Sequence, residues 1–193
     1  SLEYSQDAQA AFAVGYLELF ALITWTSVGL MSATAALAGQ NLGAGRPERS
    51  AQAARVASFI GLGMASLIGV LLLLIPRQLL AIFGMTEGVV VELGVQLLRY
   101  LAVSGLFITV ALIYTGGLQG AGDTKGPLYI SLISQVVVPL GLCTLVEATR
   151  GLQPGDIWLA IVLGHITRCT LSVLRFRQGK WREIAVDIEP ARA

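Results

Sequence analysis

Charged residues are scarce in this sequence, and their scarcity indicates the class of protein. The 13 Lys and Arg and the 12 Asp and Glu make up 13% of the 193 residues, whereas soluble domains average about 25%. Hydrophobic residues reach 55% and the mean hydropathy is +0.73. One small core would not bury this much apolar surface, so we expect a lipid bilayer around the chain. The net charge of +1 gives no electrostatic basis for binding nucleic acid.

Residues that carry enzyme chemistry are almost missing. The two cysteines, Cys143 and Cys169, lie in separate apolar runs, without the spacing of metal ligands or of a disulfide framework. A membrane-embedded enzyme would need clustered His, Asp or Cys at membrane depth, and the sequence has one histidine. We therefore expect no metal, no cofactor and no catalysis. The first residues lack the basic region of a signal peptide, so we expect the chain to begin inside a longer protein.

Five long apolar segments account for most of the chain. Each has roughly 20 residues or more, enough for a helix to cross a hydrocarbon layer of about 30 Å. No connection is long enough to separate two domains, so the sequence predicts one all-α, polytopic lobe over residues 1–193, with a tail over 177–193. The segments are 8–38, 51–75, 89–118, 127–146 and 157–176.

Lysine and arginine are concentrated at one end of this predicted bundle. They follow the first, third and fifth segments, whereas the opposite connections carry only Arg77 and Arg150. Because positive residues favour the inner side of a membrane, we predict a protein of the inner (plasma) membrane, with the N-terminus of the chain outside and the C-terminus in the cytoplasm. The residues on the positive side are Arg46, Arg49, Lys125, Arg175, Arg177, Lys180, Arg182 and Arg192.

Two glycine-rich stretches, GQNLGAGRPERS (39–50) and GLQGAGDTKGP (117–127), follow segments that end on that same side. They suggest phosphate-binding loops, but Lys125 precedes glycine rather than Ser or Thr, and an apolar helix rather than a strand comes before it. We therefore expect no nucleotide. The interpretation is two equivalent helix-to-helix turns, in which Gly43, Gly45, Gly120 and Gly122 supply left-handed backbone conformations.

Both stretches, and RFRQGKW at 175–181, closely resemble the cytoplasmic loops and the end of the C-terminal lobe of multidrug and toxic compound extrusion (MATE) transporters. Gln119 departs from the pattern, because the family often has arginine there. The matching residues are Gly39, Gln40, Asn41, Gly43, Ala44, Gly45, Pro47, Glu48 and Arg49, followed by Gly120, Ala121, Gly122, Asp123, Thr124 and Pro127.

The resemblance implies twelve helices in two six-helix lobes, of which this chain would hold the last five. It implies an antiporter that exports amphiphilic or cationic compounds in exchange for Na⁺ or H⁺ by alternating access. The partner is then the N-terminal lobe of the same protein, which would also hold most coupling carboxylates. A lipid-linked saccharide flippase of the same superfamily is the nearest alternative, and a structural membrane subunit is another.

Polar residues on the first and third segments are candidates for lining a substrate cavity. Spacings of three and four place Gly15, Glu18, Leu22, Trp25, Gly29 and Ser32 on one helix face. On the third segment Gln96 and Arg99 share a face, with Tyr100 beside it. The alternative is that these residues sit at the outer interface or serve packing. Because Glu18 lies 21 residues before Gly39 and Arg99 lies 21 residues before Gly120, we also predict that the two form an ion pair.

Three residues on the last two segments are candidates for gating or a proton relay. Pro139 leaves the carbonyl of Gln135 unpaired and so predicts a bend. His165 has the side chain suited to a proton relay, or it is neutral and bonded to a neighbouring helix. Arg168 points to the cytoplasmic funnel or pairs locally.

Overall fold

The computed structural model describes residues 2–184, and within them it forms five helices long and apolar enough to cross a membrane. The predicted fold class, an all-α polytopic bundle, is confirmed. The predicted segments extend by a few residues at most of their ends, because polar and glycine residues continue the helical turns. The five spans are Gln6–Gly43, Pro47–Leu74, Val89–Gly120, Lys125–Arg150 and Pro154–Arg177.

Two of these five spans, the first and the fourth, are divided by a change of helix type. The first contains a π-helical turn, Ala13–Leu19, between two α-helices, and the fourth contains a second one, Ile133–Val137. A seven-residue helix begins at Pro76, since proline suits the first helical position, and the tail forms a 3₁₀ turn, Lys180–Glu183. In chain order the helices are α1 (Leu2–Phe12), α2 (Ala21–Gly43), α3 (Pro47–Leu74), α4 (Pro76–Ile82), α5 (Val89–Gly120), α6 (Lys125–Leu132), α7 (Val138–Arg150) and α8 (Pro154–Arg177).

Helix α5 forms the centre of the bundle. Its most apolar window is 72% buried, against 33% or less for the other four spans, and α2, α3 and α8 pack around it. Leu97, Leu101 and Ile113 are fully or almost fully enclosed. The outer surface is apolar too: Phe59 and Leu67 of α3 are 77% and 67% exposed. A soluble protein would pay heavily for such a surface, whereas lipid accepts it.

Small residues let the helices approach α5 closely. A Cβ on Gly39 of α2 would lie 3.0 Å from the carbonyl oxygen of Gly120, and one on Gly69 of α3 would lie 3.2 Å from that of Ala102. Ser27 and Thr109 share a hydrogen bond of 2.8 Å between α2 and α5. Close backbone approach and hydroxyl bonding are the usual means by which helices associate in lipid.

The two glycine stretches form shorter turns than the sequence predicts. Helix α2 continues through Gly39, Gln40, Asn41 and Gly43, and α5 ends at Gly120, so describing these residues as loop is wrong. The connections are residues 44–46 and 121–124. We call the side of the bundle that holds both connections the glycine-turn end.

Only the second glycine of each Gly-Ala-Gly has the predicted conformation. Gly45 and Gly122 have φ of +69° and +88°, whereas Gly43 and Gly120 are helical. Gly120 is instead a contact residue, because a Cβ there would collide with the carbonyl oxygen of Ala35. Residues 185–193 of the predicted tail lie outside the described part of the chain.

Candidate functional site

His165 lies in the middle of α8 and points into the bundle. It is 3% exposed, and its Nδ1 shares a hydrogen bond with the hydroxyl of Ser104 on α5, which is fully buried. The ring of Phe20 stacks on the imidazole at 5.9 Å between centroids, with 15° between the planes. His165 is therefore bonded to a neighbouring helix, as one of the two sequence-based interpretations expected.

The second π-helical turn packs against α8 immediately beside this histidine. A Cβ on Gly164 would lie 2.6 Å from the carbonyl oxygen of Ser134 and 3.2 Å from Cγ of Pro139. The N–H of Val138 donates to the carbonyl of Ile133, five residues back. The irregularity that Pro139 predicts thus occurs just before the proline, as a widened turn.

The residue that follows the first π-helical turn contacts the same histidine. The N–H of Phe20 donates to the carbonyl of Gly15 at 3.0 Å and closes that turn, and its ring stacks on His165. The second π-helical turn and the residue that ends the first one therefore lie beside one buried histidine. Such turns are rare and are often found at functional sites. We call the group formed by Phe20, Ser104, Ser134, Pro139, Gly164 and His165 the π junction.

A column of aromatic rings leads from the start of α8 to the π junction. Trp158 and Phe12 stack at 6.0 Å, Phe12 and Tyr16 at 5.0 Å, and Tyr16 meets Phe20 at 5.4 Å. The sequence analysis missed this column. Its signal was an aromatic residue at every fourth position from 12 to 20, a spacing that the wide turn keeps on one face.

An apolar cavity of about 500 Å³ opens at the far end of this column. Phe12, Pro154, Ile157 and Trp158 line it. The buried indole N–H of Trp158 has no hydrogen-bond partner among the residues that the structure describes. Gln9 and Gln153 add side-chain amides to the lining, so the cavity combines apolar walls with a few polar groups, which suits an amphiphilic molecule.

The first π-helical turn removes Gly15 from the cavity-lining face predicted on the first span. A π-helical turn holds more residues than an α-helical turn, so three residues cover a smaller rotation and Gly15 no longer shares a side with Glu18. Gly15 is buried against Leu97. The other members of the predicted face are all exposed, namely Glu18, Leu22, Trp25, Gly29 and Ser32, so only Gly15 is wrongly placed. That this face lines a substrate cavity stays a prediction.

Gln96 and Arg99 do line a cavity, of about 690 Å³, at the start of α5. Glu92 and Arg77 line it with them and form a salt bridge of 2.5 Å. Tyr100 packs against the hydrophobic core instead.

The predicted ion pair between Glu18 and Arg99 does not form: no salt bridge joins them in residues 2–184. Glu18 is exposed on the first span, whereas Arg99 lines the cavity at the start of α5.

At the glycine-turn end, Asp123 is 5% exposed and holds two elements together. The Nε of Arg175 donates to one carboxylate oxygen at 2.7 Å, and the backbone N–H of Gly126 donates to the other at 3.0 Å. The carboxylate therefore ties the end of α8 to the start of α6. Of the other motif residues here, Thr124 is exposed and Pro127 is buried.

The 3₁₀ turn after α8 reaches the other glycine connection. Trp181 is 1% exposed and donates its indole N–H to the carbonyl of Phe176 at 2.8 Å. Arg182 pairs with Glu48 of α3 at 3.1 Å. The end of α8 and the 3₁₀ turn after it thus contact the second glycine connection, through Asp123, and the start of α3, which follows the first. Within residues 2–184 no three His, Cys, Asp or Glu side chains are grouped so as to hold a metal ion.

Comparison with known families decides which class of protein this bundle represents. The MatE family model matches residues 2–145. The chain belongs to the MatE family. Curated relatives include the probable multidrug resistance protein NorM of Deinococcus radiodurans, 31% identical over 76% of this chain, and that of Thermotoga maritima, 24% identical over 93%. Protein DETOXIFICATION 22 of Arabidopsis thaliana is 24% identical over 88% of the chain.

The matched region of these MatE relatives is only part of each protein. The chain spans about a third of their length, 33% of the Deinococcus protein and 38% of the Thermotoga protein. Together with the five apolar helices, the comparison identifies a multi-pass membrane protein of the MatE family.

Proposed function

We propose that this chain is the C-terminal lobe of a transporter that exports amphiphilic or cationic compounds in exchange for Na⁺ or H⁺. The match to the MatE family over residues 2–145 carries the proposal. The names of the relatives from Deinococcus and Thermotoga, both multidrug resistance proteins, support drugs and toxins as substrates. The activity is transport, without catalytic residues or a resident cofactor.

Alternating access requires one part of a transporter to move against another, and the π junction is the part of this lobe that we propose to move. Each π-helical turn holds one residue more than an α-helical turn, and converting it to α-helix would shift the rest of its span. The hydrogen bond between His165 and Ser104 connects α8 to the central helix α5. His165 would report on the movement and, where H⁺ is the coupling ion, relay protons.

The glycine-turn end is proposed to face the cytoplasm, because lysine and arginine are concentrated there. Cysteines substituted for Arg46 and Lys125, both exposed, should react with an impermeant maleimide only after the inner face of the membrane is opened. Cysteine substituted for Arg77, at the opposite end, should react in intact cells. Labelling of the Arg46 or Lys125 variant from outside would reverse the orientation.

The transport proposal is tested in cells that lack their main exporters. Expression of the whole protein should lower the accumulation of ethidium, a fluorescent lipophilic cation. Ser104→Ala, which removes the partner of His165 and little volume, should raise accumulation again at unchanged expression. Thr144→Ala is the matched control, because Thr144 is exposed and bonds only within its own helix. Equal accumulation with and without the whole protein would contradict the proposal.

A further inference from the structure

Arg168 is a cation inside a membrane span, and no salt bridge in the described part of the chain includes it. It lies nine residues before Arg177, the last residue of α8, which is about 14 Å along a helix at roughly 1.5 Å per residue. Its Nε is buried and has no hydrogen-bond partner among residues 2–184. A charge at such depth requires compensation from a counter-ion or from polar groups.

Four acids at the two ends of the described bundle are already paired. At the glycine-turn end, Asp123 pairs with Arg175 and Glu48 pairs with Arg182. The acids Glu92 and Asp156, at the opposite end, pair with other arginines there. None of the salt bridges among the described residues includes Arg168.

The side chain of Arg168 lines a cavity of about 450 Å³ that is suited to an anion. The second charged residue of its lining is Lys125, also a cation, and no acidic side chain lines it. Thr115, Thr124 and Ser131 add hydroxyls that can donate hydrogen bonds. Two cations with several donors are the groups that bind phosphate or carboxylate oxygens. The same charges would repel the cationic compounds proposed as transport substrates.

Apart from the amide of Gln119, the rest of the cavity wall is apolar and extends to the exposed surface. Leu112 and Pro127 line it, and Leu128, which also lines it, is 65% exposed. A bound molecule would therefore have its polar part against Arg168 and Lys125 and an apolar part along α6. This arrangement matches an amphiphile better than a small inorganic anion.

We propose that this cavity binds the anionic headgroup, a phosphate or carboxylate, of an amphiphile whose apolar chain leaves past Leu128. A membrane lipid and an exported amphiphile both offer this chemistry. The site is separate from the π junction, and its occupancy does not depend on whether the whole protein transports cations.

Thermal unfolding of the purified whole protein in dodecyl maltoside tests the proposal, because a ligand that binds the folded state raises Tm. Dodecyl maltoside is itself a neutral molecule with a twelve-carbon chain, so it serves as the uncharged comparison for the two charged amphiphiles. Dodecyl phosphate should raise Tm in a saturable manner, whereas inorganic phosphate and dodecyltrimethylammonium should not. Lys125→Gln and Arg168→Gln should each raise the half-saturating concentration of dodecyl phosphate at least about tenfold, as expected when a charge-assisted hydrogen bond is lost. Arg168→Lys should restore part of the binding.

The control is Arg46→Gln, which removes an exposed cation from the same end but outside the cavity lining. It should leave binding unchanged, and an equal loss there would reduce the effect to general surface charge. Stabilisation by inorganic phosphate alone would contradict an amphiphile, and stabilisation by dodecyltrimethylammonium would contradict an anion site. If the Arg168→Gln variant does not fold, the Lys125→Gln variant still tests the proposal, because Lys125 is exposed. Unchanged binding by Lys125→Gln would overturn the proposal and point to a carboxylate elsewhere in the whole protein as the partner of Arg168.

Discussion

Four glycines that look equivalent in the sequence serve three different purposes in the structure. Gly45 and Gly122 hold positive φ, Gly120 allows α2 to contact α5, and Gly43 ends a helix with no atom near its missing Cβ. The motif predicted the turns, because Gly-Ala-Gly between apolar runs is a helix-ending signal. It could not distinguish the four roles, because these depend on which backbone approaches each position.

Alanine substitutions separate these purposes. Gly45→Ala and Gly122→Ala should each lower the free energy of unfolding by about 1–2 kcal/mol, the energy of a left-handed conformation with a Cβ. Gly120→Ala should lower it further, by collision with Ala35. Gly43→Ala is the matched control and should be neutral or slightly stabilising, since alanine favours helix. Denaturation of the purified whole protein measures all four, and a loss at Gly43 equal to that at Gly45 would contradict the assignment.

Two ion pairs at the glycine-turn end differ in burial and should differ in energy. Asp123 is 5% exposed in its pair with Arg175, whereas Glu48 is 75% exposed in its pair with Arg182. Removing one member of a buried pair leaves an uncompensated charge and costs roughly 3–5 kcal/mol, whereas an exposed pair contributes about 0–1 kcal/mol. Asp123→Asn should therefore destabilise strongly and Glu48→Gln hardly at all.

The same denaturation measurement checks this difference, with 1 M salt as a second condition. The Glu48→Gln effect should vanish in salt, because exposed charges are screened, whereas the Asp123→Asn effect should persist. Similar losses from both variants would mean that Asp123 is not the tie between α8 and α6.

At the scale of elements, the two π-helical turns explain both a success and an error of the sequence analysis. Pro139 predicts the second irregularity, because a proline removes a donor from its helix. The first, Ala13–Leu19, contains no proline, so regular helical spacing was applied across it. That assumption placed Glu18 on the same face as Gly15, which is buried while Glu18 is exposed.

Glycine in the π junction is required by the close contact between α8 and the second π-helical turn. Gly164→Ala would place a Cβ 2.6 Å from the carbonyl oxygen of Ser134, so the two elements should separate and the whole protein should lose transport and several degrees of Tm. Gly141→Ala is the control, because nothing lies within 4 Å of its missing Cβ. Unchanged ethidium export by the Gly164→Ala variant would show that this contact is dispensable.

For the whole molecule, composition and apolar segment length were enough to predict the five-helix membrane bundle. A low charge content and runs of about 20 apolar residues leave few other solutions. The short helix Pro76–Ile82 was missed because seven residues carry little periodicity. The spacing of residues 12, 16 and 20 is a local signal for most of the aromatic column. Its contact with Trp158 and the cavity at Arg168 arise between spans far apart in the chain, which no local pattern contains.

We propose that this lobe belongs to a cation-driven exporter. Transport by the whole protein in proteoliposomes is the most direct test. Ethidium is placed on one side, and a Na⁺ or a proton gradient is imposed in the opposite direction. At least one gradient should accelerate ethidium movement several-fold, an ionophore that dissipates it should remove the acceleration, and residues 1–193 alone should move none. Ethidium movement by the whole protein that ignores both gradients would contradict the claim.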